Sequence, residues 1–211
     1  MEDHQRKEEK HMIRWIATGL TFILLTSCGL VGGPVSGVVL DAETRQPIEG
    51  AYVVAQWSGS SSMSIAESHT VCIYTDMAIT DGKGRFRIPM WFFEKPGVSS
   101  DQFYIVIYQA GYEEVWPRDS NRFLMRASKK DVRERLDVMN SVVSRTSCLG
   151  NDKAADKLYP LATALYDEAL ALAGGAYNQD IVESFLYFKE RREMGFKTAE
   201  ERHLRRLKNQ E

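Results

Sequence analysis

Between Pro34 and Arg126 the apolar residues of this chain recur at about every second position, and from Ser128 onward they recur at spacings of three and four. A period of two belongs to a strand with one buried face, and a period near 3.6 belongs to a helix that packs by one stripe. A chain that changes period once, part-way along, is confined to strands first and helices second. The expected class is α+β: a β-sandwich over 34–127, then a small helical C-terminal region over 128–211.

The strands can be placed one by one. VSGVVLD puts Val35, Gly37 and Val39 on one side and Ser36, Val38 and Leu40 on the other. AETRQPIEG supplies a turn, and AYVVAQW is the next strand, rich in β-branched and aromatic residues. SGSSSMS reads as a loop and TVCIYTDMAIT as a third strand. DGKG marks a tight turn, after which RFRIP points Phe86 and Ile88 inward and Arg85 and Arg87 to solvent. FYIVIYQAGY is the most apolar strand and is expected at the centre of its sheet; RFLMR closes the set. MWFFEKPG is apolar for a loop and is expected to receive the helices. Short strands, frequent turns and no intervening helix predict an antiparallel arrangement.

In the second half, Val132, Leu136, Met139 and Val143 make one helical stripe, with Ser128 as the expected N-cap. DKAADKLYPLATALYDEALALAGG follows, interrupted or restarted at Pro160 and stopped at Gly174-Gly175. Ile181, Phe185 and Phe188 form the stripe of a third helix, with Asp180 and Glu183 at capping spacing. Thr198 and Glu201 have capping-box spacing before a highly charged last helix. Helices this short make a thin core and are expected to pack on the sandwich.

The N-terminus has a different character. After a charged leader, Arg14 precedes an apolar run from Ile16 to Leu25, shorter than the roughly 20 residues of a spanning helix. Translation from Met12 would give this segment the ordinary signal plan. The run ends in Leu25-Thr26-Ser27-Cys28, which resembles the lipobox of bacterial lipoproteins. That resemblance implies a signal peptide over 1–27, a diacylglyceryl group on the Cys28 thiol and a lipidated tether over 28–33. It also implies membrane attachment through the lipid. Gly29 after the cysteine implies, by the family's sorting rule, the outer membrane facing the periplasm. Without lipid attachment the same segment is an ordinary signal peptide or a short membrane anchor. In an oxidising envelope compartment the two remaining cysteines, Cys72 and Cys148, are expected to form a disulfide that staples helices to sheet; the alternative is two separate buried thiols.

A second resemblance covers 34–126. GVVLDAETRQPIEGAYVVAQW, AITDGKGRFRIP and IYQAGY resemble a carboxypeptidase regulatory-like domain, carried by Gly37, Asp41, Pro47, Gly50, Asp81, Gly84 and Phe86. That family implies a prealbumin-like Greek-key sandwich of about seven strands, used mostly for packing and interaction. Its chemically active relatives need features this chain lacks: no His-x-x-Glu run, no tyrosine-arginine-glycine-serine end and no lysine in VSGVVLD.

The formal net charge of −2 gives no basic field for nucleic acid. His69 lies beside Glu67 and Ser68, but catalytic partners normally converge from separate segments. His69 and Cys72 are too few for a closed zinc site, so neither a metal nor a cofactor is expected. Trp57, Trp91 and Trp116 fall near strand ends, where they either stack on a sugar ring or fill the core. The leading expectation is a non-catalytic protein-binding or scaffolding module with an envelope protein partner. A glycan or cell-wall binding module using those tryptophans is the alternative, and an enzyme with an unrecognised site the second.

Overall fold

The computed structural model describes residues 30–61, 69–93, 98–119, 121–146, 153–174 and 179–209. They form a mixed α+β structure with nine strands and four helices. The strands are β1 (Leu30–Gly32), β2 (Val35–Asp41), β3 (Tyr52–Ser61), β4 (His69–Ile79), β5 (Arg85–Ile88), β6 (Trp91–Phe93), β7 (Val98–Tyr108), β8 (Tyr112–Asp119) and β9 (Arg122–Ala127). The helices are α1 (Val132–Thr146), α2 (Lys153–Ala173), α3 (Gln179–Met194) and α4 (Phe196–Lys208).

Two sheets carry the sandwich, one in the order β5-β2-β9-β8 and the other in the order β4-β3-β7. Val39, Phe86, Phe123 and Met125 from the first meet Val53 and Ile107 from the second in a shared core. Phe86 and Ile88 are buried while Arg85 and Arg87 are exposed, as the alternation of RFRIP requires. Tight turns close the strands. Asp41 Oδ1 accepts the amides of Glu43 and Thr44, and Asp81 Oδ1 accepts those of Lys83 and Arg85. Gly84 turns at φ 69°, and a Cβ there would run into the Val39 carbonyl, so both conformation and space require glycine.

Four expectations for the strands are corrected. The first four residues of SGSSSMS, expected as a loop, continue β3 to Ser61. The arrangement is not wholly antiparallel, because β2 and β9 pair in parallel with Val39 opposite Phe123. The most apolar strand, β7, is an edge, and β3 is central. Edge and centre are confused in the sequence because β7 is covered on both faces. Ile107 packs into the sandwich, while Val106 and Tyr108 pack against the helices. Nor does the Trp-Phe-Phe segment receive the helices. It forms β6 and pairs with β1, with Leu30 opposite Phe93 and Gly32 opposite Trp91. The segment expected to be a tether over 28–33 therefore enters the fold at Leu30.

The helices cover the outer face of the three-stranded sheet. Val54, Val106 and Tyr108 meet Leu136 and Met139 of α1, Leu158, Leu161 and Leu165 of α2, and Phe185 and Phe188 of α3. Each fully buried leucine contributes about 2 kcal/mol. Caps differ from the expected ones. Asp131, not Ser128, accepts the Glu134 amide at the start of α1. Gly195 at φ 86° precedes α4 with no side-chain cap, and Thr198 lies inside the helix. Asp180 likewise falls inside α3, and Glu183 is engaged by Arg206 and His203 of α4. Pro160 sits within α2, and Gly174 at φ 54° follows its end.

Candidate functional site

The end of the sandwich nearest the start of β1 is built from aromatic side chains. Register places Trp57 of β3 opposite Tyr74 of β4 and Phe103 of β7, so one row of rings crosses the sheet. The Trp57 ring centre lies 5.9 Å from Tyr74 and 4.8 Å from Phe103. Trp91 of β6 caps this row, 5.3 Å from Trp57 edge-on and 5.0 Å from Tyr74 in a stack. Gly32 stands opposite Trp91, and a Cβ there would meet the indole. Ala55, Ile73 and Ile88 complete the cluster, with Leu30 packed against it. The β1–β6 ribbon is therefore a lid on the open end of the sandwich.

Beside this end, Lys157 of α2 reaches the edge strand β4. Its Nζ lies 3.0 Å from Asp76 Oδ1 and 3.3 Å from the Tyr74 hydroxyl, which in turn donates to Asp76 Oδ2 at 2.9 Å. Burial, then the hydrogen bond to Asp76, raises the Tyr74 pKa. Burial would lower Lys157, but its bonds to Asp76 and Tyr74 outweigh that and raise it. The tyrosine stays protonated and the lysine stays charged, so neither is poised as a base at neutral pH.

Two residues before Tyr74, Cys72 is disulfide-bonded. A register shift at Trp57/Ser58 places Cys72 opposite Ser58. The shift puts Cys72 on the same face as Thr75, whose hydroxyl lies 3.4 Å from Cys72 Sγ, and that face is the one the helices cover. Cys28 and Cys148 both lie outside the described residues.

A second polar cluster ties helices to sheet. Arg135 of α1 is 3% exposed and makes a two-pronged bond to Glu168 of α2, Nε to Oε1 at 2.7 Å and Nη2 to Oε2 at 2.9 Å. It also donates to the carbonyls of Tyr112 and Gln109. Glu168 further accepts from the Tyr108 hydroxyl at 2.5 Å and the Gly111 amide at 3.0 Å. Burial pushes Glu168 up, but the bonds from Arg135, Tyr108 and Gly111 bring its pKa below the usual carboxylate value. Burial, then the bond to Glu168, lifts Tyr108 well above the ordinary tyrosine range. Sequence reading missed this cluster, although a signal exists. Arg135 is three residues after Val132 and four before Met139, and Glu168 is three after Leu165, so both sit in apolar stripes.

A shallow depression of about 790 Å³ opens along β2 and β5, lined by Pro34, Val38, Ile79, Phe86, Arg87 and Asn121 among others. Of the three tryptophans singled out by sequence, Trp57 and Trp91 are buried in the aromatic end and are not offered to a sugar. Trp116 on β8 is 61% exposed. His69 lies at the start of β4, paired with Ser61, whereas Glu67 and Ser68 are outside the described residues. Cys72, being disulfide-bonded, is not a free thiolate ligand. Among the described residues no group of three or more His, Cys, Asp or Glu is placed to hold a metal, and no helix is long and apolar enough to cross a membrane. No protein family, no curated protein and no solved structure matches this chain.

Proposed function

We propose that this protein is a lipid-anchored lipoprotein of the bacterial envelope whose folded body is a non-catalytic scaffold for a protein partner. The observation that carries the reading is Leu25-Thr26-Ser27-Cys28 at the end of an apolar run, with β1 beginning two residues later. Lipid on Cys28 would hold the body directly at the membrane surface, and Gly29 favours the outer membrane on its periplasmic side. Two stacked sheets of four and three strands support the prealbumin-like Greek-key reading of 34–127, with the helices of 128–211 as its partner layer. Gly50 and Gly84 both turn at positive φ, and Gly84 is also close-packed, which supports the turn or close-packed roles that the carboxypeptidase regulatory-like resemblance implies for them.

Among the described residues, the shifted charge states fit a scaffold. Tyr74 and Tyr108 are shifted up, and Asp41, Asp81, Glu113 and Glu168 are shifted down. Lys157 and Arg206 are shifted up; burial, with Arg191 beside it, lowers Arg192 only to about 10. Each of these groups is held in its resting neutral-pH state, whereas acid-base catalysis needs a group brought toward neutrality. The depression along β2 and β5, lined by apolar residues such as Val38, Ile79 and Phe86 together with charged Asp81, Arg85 and Arg87, is the surface we assign to the partner.

Cys148 is the partner we propose for Cys72. It precedes α2, whose Lys157 already reaches Tyr74 and Asp76 on the strand that carries Cys72. Intact mass of protein extracted from membranes, with thiol labelling before and after reduction, tests both points. The expected result is a chain beginning at Cys28 with added acyl groups and two thiols appearing on reduction. An unmodified chain retaining residues 1–27 would refute the anchor. For the scaffold, crosslinking in intact cells through Arg87 of the β2–β5 depression is expected to give a discrete protein adduct, and its persistent absence would refute that role.

A further inference from the structure

We propose that the outward face of the β1–β6 ribbon is a bilayer-contact patch, in which Val31, Met90 and Phe92 enter the interfacial layer of the membrane that holds Cys28. The inference rests on the lipoprotein reading. Pairing sets the two faces of the ribbon. Gly32 and Trp91 are opposite one another on the inner face, over the aromatic end, and Val31 and Phe92 are opposite one another on the outer face. Met90, the residue just before β6, is exposed as well. Val31 is 63% exposed, Met90 66% and Phe92 61%. An isolated exposed apolar residue needs no explanation, but a ribbon presenting Val, Met and Phe side by side is a contact surface.

The position of the anchor decides the occupant. Leu30 follows Cys28 by two residues, a reach of at most about 7 Å. The headgroup layer on each side of the hydrocarbon core is roughly 5–7 Å thick, and apolar side chains of peripheral elements settle about 5–10 Å into it. A cysteine held in that layer by its acyl chains brings the ribbon to the same depth, leaving no room for another macromolecule between the ribbon and the lipid. The patch is also too small for a stable protein interface, which buries roughly 800 Å² per partner. Its contact would fix how the sandwich stands on the membrane, and so which way the β2–β5 depression faces.

The test uses the full acylated chain reconstituted in vesicles of phosphatidylethanolamine and phosphatidylglycerol bearing brominated acyl chains. Phe92→Trp places a fluorophore on the exposed face. Phe196→Trp, at the exposed start of α4, is the control. Val31→Trp repeats the measurement should Phe92→Trp not fold. Measured as the difference from the parent chain, which itself carries Trp57, Trp91 and Trp116, the emission added by Phe92→Trp is expected to be blue-shifted and to lose intensity to brominated lipid, with no such loss in the emission added by Phe196→Trp. Intact mass of the same sample reports the anchor. Acylated protein whose Phe92→Trp emission is untouched by bromine, or is quenched no more than that of Phe196→Trp, overturns the patch and leaves the lipoprotein reading standing. A chain without acyl groups overturns both.

Discussion

Replacing Glu168 by glutamine is the most informative single change to the helix–sheet interface. The variant keeps the side-chain shape and an acceptor for the Tyr108 hydroxyl, but removes the charge opposite an Arg135 that is only 3% exposed. Removing one partner of a buried ion pair costs about 3–5 kcal/mol, because the surviving charge stays buried without compensation. The Glu168 side chain is itself 10% exposed, which places the expected loss near the lower end, about 3 kcal/mol. For a chain of this size each kcal/mol lowers the melting temperature by roughly 2–4 °C, so Glu168→Gln should melt about 6–12 °C below the parent. The assay is urea and thermal denaturation followed by circular dichroism on the chain secreted with Cys28→Ser. Converting both partners to methionine should cost less than the two single changes summed, with a coupling of about 1–3 kcal/mol. A loss below about 1 kcal/mol for Glu168→Gln, or single losses that simply add in the double variant, would show that Arg135 finds its stability elsewhere and that the cluster does not hold the helices to the sheet.

Acid should destabilise the fold through Asp41, Asp81, Glu113 and Glu168, whose pKa values all fall on folding. Between the folded and unfolded values the unfolded chain binds more protons, so stability is full above about 4 and drains as pH falls through the folded values; a urea midpoint unchanged below pH 4 would contradict this. At the alkaline side Tyr74 and Tyr108 are raised, so stability is full below about 10 and is lost as pH climbs beyond it. Tyr108→Phe should flatten that limb at the expense of about 1 kcal/mol for its hydrogen bond, and an unchanged alkaline profile would count against it. Reduction, or Cys148→Ser, should remove about 4 kcal/mol on the chain-entropy account of a long closed loop; an unchanged urea midpoint would refute the staple. Gly84→Ala should cost about 2 kcal/mol or more, since φ 69° and the Val39 carbonyl both oppose a Cβ. Gly111→Ala, at φ 73° with nothing nearby, should cost about 1 kcal/mol, and equal losses at the two sites would remove the steric part of the argument.

Local pattern and long-range contact divide what was legible. The inward Phe86 and Ile88, the turn-closing Asp81 and the buried Leu136 and Met139 of α1 follow from spacing, because period and turn chemistry act over a few residues; the stripe fails at its ends, where Val132 is exposed and Val142 is buried more deeply than Val143. Capping was less legible: Asp131 and Ser128 are both competent caps, and only the path of the chain out of β9 selects between them. The aromatic end needed register. Trp57, Tyr74, Trp91 and Phe103 come from four strands, and no local rule says that these rings share one row. That is why spacing alone left ligand stacking and core packing both open for the tryptophans, whereas Trp57 and Trp91 are committed to packing.

By itself, the sequence determined that strands come first and helices second, and the positions of the tight turns, both of which are encoded by residues near one another in the chain. Tertiary structure alone decided that β2 runs parallel to β9, that β7 is an edge, and that Arg135 and Glu168 meet. It also decided that Val31 and Phe92 face outward together. These depend on pairings between distant segments, whose energies come from shared burial and opposed charge, and neither can be computed until both partners have been placed.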